Sequence, residues 1–490
     1  MNGNNETVAK SMLWKTLEHY AALAAQLMVQ IVLARILEPD QFGLLSMMTV
    51  FTSIATVFIQ NGFNMALVQK KEASENDCST ALYINIAIGL VIYGIIFIFA
   101  PSIATYYEQP QITLALRVLA ITLLIGSVTS IQIAIATRNM KFRMMFFINF
   151  IAAILSGALG IVFAVIGFGV WALIIQQISL KVITFIGFFI GLKWRPNLAF
   201  EKDSAKTMFS FGSKLLLAGM INQIYDELNN LVIGKKYTSS DLAYYYKGRQ
   251  FPMYLTTGID SSIKSVMFSA FSKKQSSPEQ LHEMLRKTIS VNTYLVFPLM
   301  VGLAVAAEPF TVFLLTEKWL FAVPYMRVCC LIYAIHPIVT AHLQALAAIG
   351  RSDIRLRLEF IKKPIGVALL IVAVLLDKGP FAIACSTALT AIISLFVNVI
   401  VSKIYIKLSF KAQVIDILPS LLMSLVMGGA VYFLNYIPLS ASLLLLIELC
   451  CGVVIYFVLS ALFKPVGYSF VMSFIQKALK RKKAKSNEEM

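Results

Sequence analysis

Residues 29–51 read VQIVLARILEPDQFGLLSMMTVF, and residues 229–251 read NNLVIGKKYTSSDLAYYYKGRQF. Each stretch combines the end of one helix, a short polar loop and a small or aromatic residue that opens the next helix. When the second stretch is shifted by 200 residues, Phe251 aligns with Phe51. This correspondence indicates an internal repeat in which each copy begins with a pair of helices.

The chain has the composition of a protein that dissolves in lipid. Of its 490 residues, 58% are hydrophobic and only 14% are charged, whereas a soluble protein carries about 25% charged residues. Apolar stretches of about 20 residues, enough to span a bilayer, recur along almost the whole length. We therefore predict an all-α integral membrane protein with about 14 transmembrane helices. In such a chain the net charge of +17 reports topology, so no nucleic-acid partner is expected.

The repeat continues along the chain. Pro101 corresponds to Pro309 and Arg117 to Arg327, and the offset grows from 200 to about 213 residues, as small loop insertions would produce. Six predicted spans per copy is an even number, so we expect parallel six-helix bundles related by a pseudo-twofold axis near the membrane normal. The predicted segments are an N-terminal six-helix lobe at 1–200, a C-terminal six-helix lobe at 201–411, an extra helix pair at 412–463 and a basic cytoplasmic tail at 464–490.

The positions of the basic residues predict the orientation. If the N-terminus lies in the cytoplasm, most of the 42 lysine and arginine residues fall in cytoplasmic segments, in agreement with the positive-inside rule. Both termini are then cytoplasmic. One outer loop departs from the rule, because it carries Lys235, Lys236, Lys247 and Arg249. Charged residues interrupt the first apolar stretch, so we expect an uncleaved anchor rather than a signal peptide.

Polar side chains recur at helical spacing on the first two helices of each predicted repeat. Intramembrane polar residues usually face a bundle interior or a cavity, so these four helices are predicted to line a polar cavity between the halves. Hydrogen bonding between helices is the competing explanation for any one row. The clearest rows are Thr49, Ser53, Thr56, Gln60 and Asn64; Asn222, Asp226 and Asn229; Gln223, Glu227 and Asn230; and Thr257, Asp260, Ser261, Lys264 and Ser265.

Several of these stretches resemble a known family. VLARILEPDQFGLL at 32–45, NGFNMALVQKKE at 61–72, FGSKLLLAGMINQIYDELNNLVIGKKY at 211–237 and TEKW at 316–319 are similar to polysaccharide flippases of the multidrug/oligosaccharidyl-lipid/polysaccharide superfamily. Within that superfamily they resemble the Wzx-type branch of colanic-acid and teichuronic-acid exporters. The resemblance covers roughly the first 410 residues in the same order.

The resemblance implies a flippase of two six-helix lobes that works by alternating access in the bacterial cytoplasmic (inner) membrane. The implied cargo is an oligosaccharide repeat unit on undecaprenyl diphosphate, used for O-antigen, capsule or exopolysaccharide synthesis. The implied partners are membrane lipids and the polymerase and glycosyltransferases of the same pathway. The family often carries an aspartate shortly before Ile233-Gly234, where this chain has Asn229-Asn230. This departure weakens any ion-coupling role inferred for that position.

A diphosphate cargo requires cations, and arginine and lysine are the usual partners of phosphate. Cavity carboxylates are candidates for coupling to Na+ or H+, whereas no other cofactor and no metal site is expected. The candidate cargo-binding residues are Lys15, Lys214, Lys264, Gln26, Gln60, Asn64, Asn222 and Asn229. The coupling candidates are Asp226, Glu227 and Asp260, and the outer-mouth candidates are Arg35, Arg117, Arg249, Arg327 and Tyr245.

Structural roles compete with these assignments. Lys15 and Lys214 lie near helix ends, from which their side chains could reach the cytoplasmic headgroups. Asp260 precedes Lys264 by four residues, the spacing of an ion pair within one helix. The paired arginines near the outer helix ends could anchor those helices at the membrane interface.

Two other functions compete with the flippase. The first is a cation-coupled antiporter of drugs or organic cations, which shares the superfamily's fold. The second is a scaffold that organises a glycan synthase complex without transporting anything, although a scaffold does not need polar rows on four helices. No nucleotide-binding loop or other catalytic motif is recognisable, so the chain is not expected to be an enzyme.

Overall fold

The computed structural model describes the backbone of residues 2–60, 67, 74–273, 278–473 and 476. It describes the side chains of the same residues except those at 2–13, 15, 16, 19, 210, 211, 214, 215, 261–273, 278 and 352. Within these limits every regular element is a helix.

The helices follow one another with short connections. The first repeat contains α1 (Asn2–Ile36), α2 (Pro39–Gln60), α3 (Glu75–Tyr107), α4 (Ile112–Leu119), α5 (Ile121–Arg138), α6 (Phe142–Val165) and α7 (Val170–Gly191). The second contains α8 (Lys202–Lys236), α9 (Ser239–Lys273), α10 (Pro278–Val305), α11 (Ala307–Leu315), α12 (Val323–Ala348), α13 (Ser352–Leu375) and α14 (Pro380–Tyr405). The helices α15 (Phe410–Tyr432) and α16 (Ala441–Phe463) come last.

The helix limits recur along the chain with the offset read from the sequence. The first helices of the two copies end at Ile36 and Lys236, and the next ones begin at Pro39 and Ser239, an offset of 200 residues. Farther along, the starts of α6 and α13, like those of α7 and α14, differ by 210 residues. This spacing supports the repeat, while the pseudo-twofold relation between the copies stays a prediction.

The prediction of an all-α membrane protein is confirmed. Within the described residues, ten helices or joined helix pairs are long and apolar enough to cross a membrane. Helices α8, α9 and α13 are not among them, because polar side chains interrupt their apolar stretches. Helix α1 is not among them either, because its apolar part within the described residues, Tyr20–Ile36, is too short. Since all four coincide with predicted spans, the number fourteen stays a prediction.

The chain divides into two compact units, Met1–Ala243 and Tyr244–Met490. In the first unit, α8 packs against α2 and α3, so the opening helix of the second repeat belongs structurally with the helices of the first. In the second unit, α10 packs against α12 and α15, and α16 packs against α11 and α15. The predicted segment limits follow the sequence repeat and stay predictions.

The segment between the two repeats is fixed to the start of α3. A capping box starts this helix: the Ser74 backbone N–H donates to Asp77 Oδ2 (2.8 Å), and the Asp77 N–H donates to Ser74 Oγ (3.1 Å). The same end of α3 binds the passing chain through four further hydrogen bonds. They are Asn197 N–H to Ser79 Oγ (2.9 Å), Glu201 N–H to Thr80 Oγ1 (3.0 Å), Tyr83 Oη–H to the Asn197 carbonyl (2.9 Å), and Ser204 Oγ–H to Asp77 Oδ1.

Candidate functional site

In the first unit, the polar rows of α2 and α8 meet at Glu227. Its Oε1 accepts hydrogen bonds from Ser53 Oγ of α2 (2.9 Å) and from Gln223 Nε2 of α8 (3.1 Å), while its Oε2 accepts from Asn230 Nδ2 (2.7 Å). An ionised carboxylate only accepts hydrogen bonds, so three donors suit it well. The structure therefore brings together two of the predicted polar rows, and Glu227 joins their helices.

The second polar row of α8 lies on a neighbouring face. Asn222 and Asp226 are exposed, and Asn229 is half-buried. The row thus leaves polar groups accessible beside the Glu227 cluster, as a site for a polar cargo would require. The assignments of Asn222 and Asn229 to cargo binding and of Asp226 and Glu227 to coupling stay predictions.

In the second unit, α9 and α12 are joined by polar contacts. Asp260 Oδ2 lies 3.7 Å from His336 Nδ1, and the aspartate side chain is almost fully buried while the histidine is half-exposed. Nearer the start of α9, Arg249 Nε donates to Tyr333 Oη (3.2 Å). His336 precedes Pro337 in the sequence, and nothing in helical spacing links it to Asp260. The coupling role of Asp260 stays a prediction.

The paired arginines of the two repeats bind backbone carbonyls. Arg117 Nε donates to the Phe97 carbonyl (3.1 Å), and its guanidinium lies 4.2 Å from the centre of the Phe97 ring. Pro101, four residues after Phe97, has no N–H to offer that carbonyl. Arg327 Nε donates to the carbonyl of Ala304 (3.2 Å), in the last turn of α10. Both arginines thus satisfy carbonyls where a helix ladder is interrupted, and their outer-mouth role stays a prediction.

The other outer-mouth candidates differ in accessibility. Arg35 is exposed at the end of α1. Tyr245 is only 2% exposed and packs edge-to-face against Tyr325, so contact with a cargo would require this aromatic pair to open. Its neighbour Tyr246 is 39% exposed and is the more accessible ring.

The basic loop that departs from the positive-inside rule contains an ion pair. Lys235 Nζ donates to Glu108 Oε1 (2.9 Å) and lies 5.2 Å from the centre of the Tyr106 ring. The hydrogen bond and the charge of Lys235 hold the pKa of the Glu108 carboxyl below its usual value. The pair is therefore intact at neutral pH and is lost as the pH falls through that lowered pKa. Both side chains are accessible to water, so the pair contributes little to stability.

The remaining candidates are only partly described. The side chains of Lys15, Lys214, Lys264 and Asn64 lie outside the described residues, and their assignments stay predictions. Gln26 on α1 and Gln60 at the end of α2 are both exposed. Among the described residues, no group of three or more histidine, cysteine or acidic side chains is placed to hold a metal ion.

Comparison with known proteins gives the family and the fold. The family model described as "Polysaccharide biosynthesis protein" matches residues 32–324, more than half of the chain. The teichuronic acid biosynthesis protein TuaB of Bacillus subtilis is 24% identical over 83% of this chain and 85% of its own length. The lipopolysaccharide biosynthesis protein WzxC of Escherichia coli is 23% identical over 79% of this chain and 78% of its own length.

Solved structures show the same architecture. The lipid II flippase MurJ, in an inward closed conformation, matches with a TM-score of 0.76 over 92% of this chain and 98% of its own, at 16% identity. An inward-facing multidrug resistance MATE family transporter matches with a TM-score of 0.62 over 80% of this chain and 94% of its own, at 14% identity. The chain thus shares the fold of these two proteins, a flippase and a transporter. The chain therefore belongs to the polysaccharide biosynthesis protein family.

Proposed function

We propose that this protein is a flippase that moves an oligosaccharide linked to undecaprenyl diphosphate across the bacterial inner membrane. The observation that carries the proposal is a family match over residues 32–324 in a chain that has the MurJ fold. The relatives named for teichuronic acid and lipopolysaccharide biosynthesis support a role in surface polysaccharide assembly. The polar groups around Glu227 and Asp260 are consistent with a polar cargo.

Alternating access is the mechanism we propose, with both termini in the cytoplasm. In this mechanism the cargo enters from the cytoplasmic leaflet, and its charged head crosses among polar side chains instead of hydrocarbon. The carboxylates Glu227, Asp226 and Asp260 are the candidates for Na+ or H+ coupling. The polymerase and glycosyltransferases of the same pathway are the proposed partners, because they would consume and supply the translocated unit.

The test is a chromosomal deletion in the native host, followed by extraction of lipid-linked sugars from each membrane face. We expect complete repeat units to accumulate on the cytoplasmic face while surface polysaccharide disappears. The wild-type gene and the exposed-loop variant Lys378→Gln should both restore the polysaccharide. Unchanged surface polysaccharide with no accumulation, in a strain without a second flippase gene, would contradict the proposal. Increased sensitivity of that strain to cationic dyes would favour the antiporter.

A further inference from the structure

A single lysine lies at the centre of α7. Lys181 is the twelfth of the 22 residues in this helix, so at a rise of 1.5 Å per residue it is about 15 Å from either helix end. The four-carbon stem of a lysine is much shorter than that distance, so its ammonium group does not reach the headgroups from this depth. The charge therefore needs a polar environment inside the membrane.

Lys181 lies on a face of α7 that is buried at both of its ends. Positions 174, 177, 181, 184 and 188 repeat at spacings of three and four residues and form one stripe along the helix. Ile174 and Phe188, at the two ends of this stripe, are both 0% exposed. Between them, Gln177 and Thr184 are half-buried and Lys181 is exposed. This face of α7 is thus apolar and buried at both ends, and polar and accessible in the middle.

The lipid-facing side of the helix is different. Ile186 is 46% exposed and Ile190 is 73% exposed, and both lie on the side of α7 away from the Lys181 stripe. In a membrane these apolar side chains contact hydrocarbon. Lys181 lies on the opposite side of the helix from them. A lysine at this depth does not face hydrocarbon, so its exposed side chain requires a polar space within the protein.

Within the described residues, no acidic side chain forms an ion pair with Lys181 and no acceptor forms a hydrogen bond with its ammonium group. An intramembrane cation in an open space and without a protein anion is suited to an anionic ligand. Lysine is a common phosphate ligand because its compact charge donates several hydrogen bonds. We propose that Lys181 binds the phosphate groups of a lipid-linked cargo in a water-accessible space at mid-membrane depth. This proposal rests on the flippase function proposed above.

The first experiment tests the space. Lys181→Cys and, as the matched control, Ile190→Cys are introduced into a chain whose six cysteines have been replaced, and both are expressed in membranes. A charged, water-soluble methanethiosulfonate reagent should label position 181 and leave position 190 unlabelled, whereas a lipid-soluble maleimide should label both. Equal labelling by the charged reagent at both positions, or no labelling at 181, would overturn the proposal.

The second experiment tests the ligand. Purified wild-type protein is titrated with undecaprenyl diphosphate and with undecaprenol, which has the same chain and no phosphate. Lys181→Gln should weaken binding of the diphosphate about tenfold or more, as expected for the loss of one charge-assisted hydrogen bond. Lys181→Arg should retain most of the affinity, Lys378→Gln all of it, and binding of undecaprenol should not change. An unchanged thermal midpoint of Lys181→Gln shows that the variant is folded.

The outcomes separate this proposal from the proposed function. If the wild-type protein binds the diphosphate and the Lys181→Gln variant binds it equally well, the role of Lys181 is refuted while the flippase function stands. If the wild-type protein does not distinguish the diphosphate from undecaprenol, both proposals fail.

Discussion

At the residue scale, Glu227 accepts hydrogen bonds from three side chains on two helices. Because it accepts from Ser53, Gln223 and Asn230, its removal leaves the buried Asn230 amide without this acceptor, which should lower the free energy of unfolding by about 1–3 kcal/mol. We expect Glu227→Ala to lower the thermal midpoint of the purified protein clearly. Ser53→Ala, which removes one donor only, should lower it less.

Asp226→Ala is the matched control, because Asp226 is the adjacent residue of α8 and is exposed. Its thermal midpoint should stay closer to that of the wild-type protein. Equal losses in Glu227→Ala and Asp226→Ala would show that the hydrogen bonds at Glu227 contribute no specific stability.

A glycine in the signature stretch at 32–45 makes a second residue-scale prediction. Gly43 of α2 lies directly against the backbone of Ser239, where an added methyl group would overlap the carbonyl. Backbone cannot move aside as a side chain can, so Gly43→Ala should destabilise the first unit by about 1–3 kcal/mol. The measurement is the thermal midpoint in detergent. Gly94→Ala is the control, because Gly94 lies at a helix position with open space around it. Its thermal midpoint should not fall below that of the wild-type protein.

At the element scale, Arg117 and Arg327 each donate to a backbone carbonyl at a place where a helix is interrupted. Arg117 donates to the Phe97 carbonyl, which Pro101 leaves without a backbone donor. Arg117→Ala should therefore lower the free energy of unfolding by about 1–3 kcal/mol. Pro101→Ala restores the backbone N–H for Phe97, so the cost of Arg117→Ala should largely disappear in the double variant. The measurement is a double-mutant cycle on thermal or denaturant unfolding.

The second repeat supplies the control for that cycle. Arg327 donates to the Ala304 carbonyl. The carbonyl that lacks a backbone donor because of Pro309 is a different one, that of Val305, four residues earlier. Pro309→Ala should therefore leave the cost of Arg327→Ala unchanged. Additive effects in both cycles would contradict the role assigned to Arg117.

Elements were also the level at which the sequence was most informative. Apolar runs and polar loops are local signals, so the helices and the 200-residue offset could be predicted. Contacts between helices depend on packing that spacing within one helix does not encode. Asp260 has Lys264 at the right spacing in sequence, yet the fold brings His336 of α12 within 3.7 Å of it. Lys181 could not be predicted from helical spacing, because a single charged residue does not form a repeating row.

At the scale of the whole molecule, the orientation makes a further prediction. Alkaline phosphatase is active only outside the cytoplasm, so fusions report the side of each loop. With both termini cytoplasmic, fusions after Gln109 and after Leu439 should be active, and fusions after Lys407 and Lys464 should be inactive. An inactive fusion after Leu439 would show that α15 and α16 do not both span the membrane, and the predicted count of fourteen would be wrong.

The hydrogen-bonded segment between the repeats has a consequence for imaging the protein. A chain of this size has little mass outside the membrane, and electron cryomicroscopy benefits from a soluble domain inserted as a fiducial marker. The segment at 197–204 looks like a natural insertion point between the copies, yet four hydrogen bonds fix it to α3. An insertion there would disrupt the hydrogen bonds that hold this segment and the start of α8 to α3. The exposed turn at 437–440 makes no such bonds to another helix among the described residues, and it is the better place for a marker.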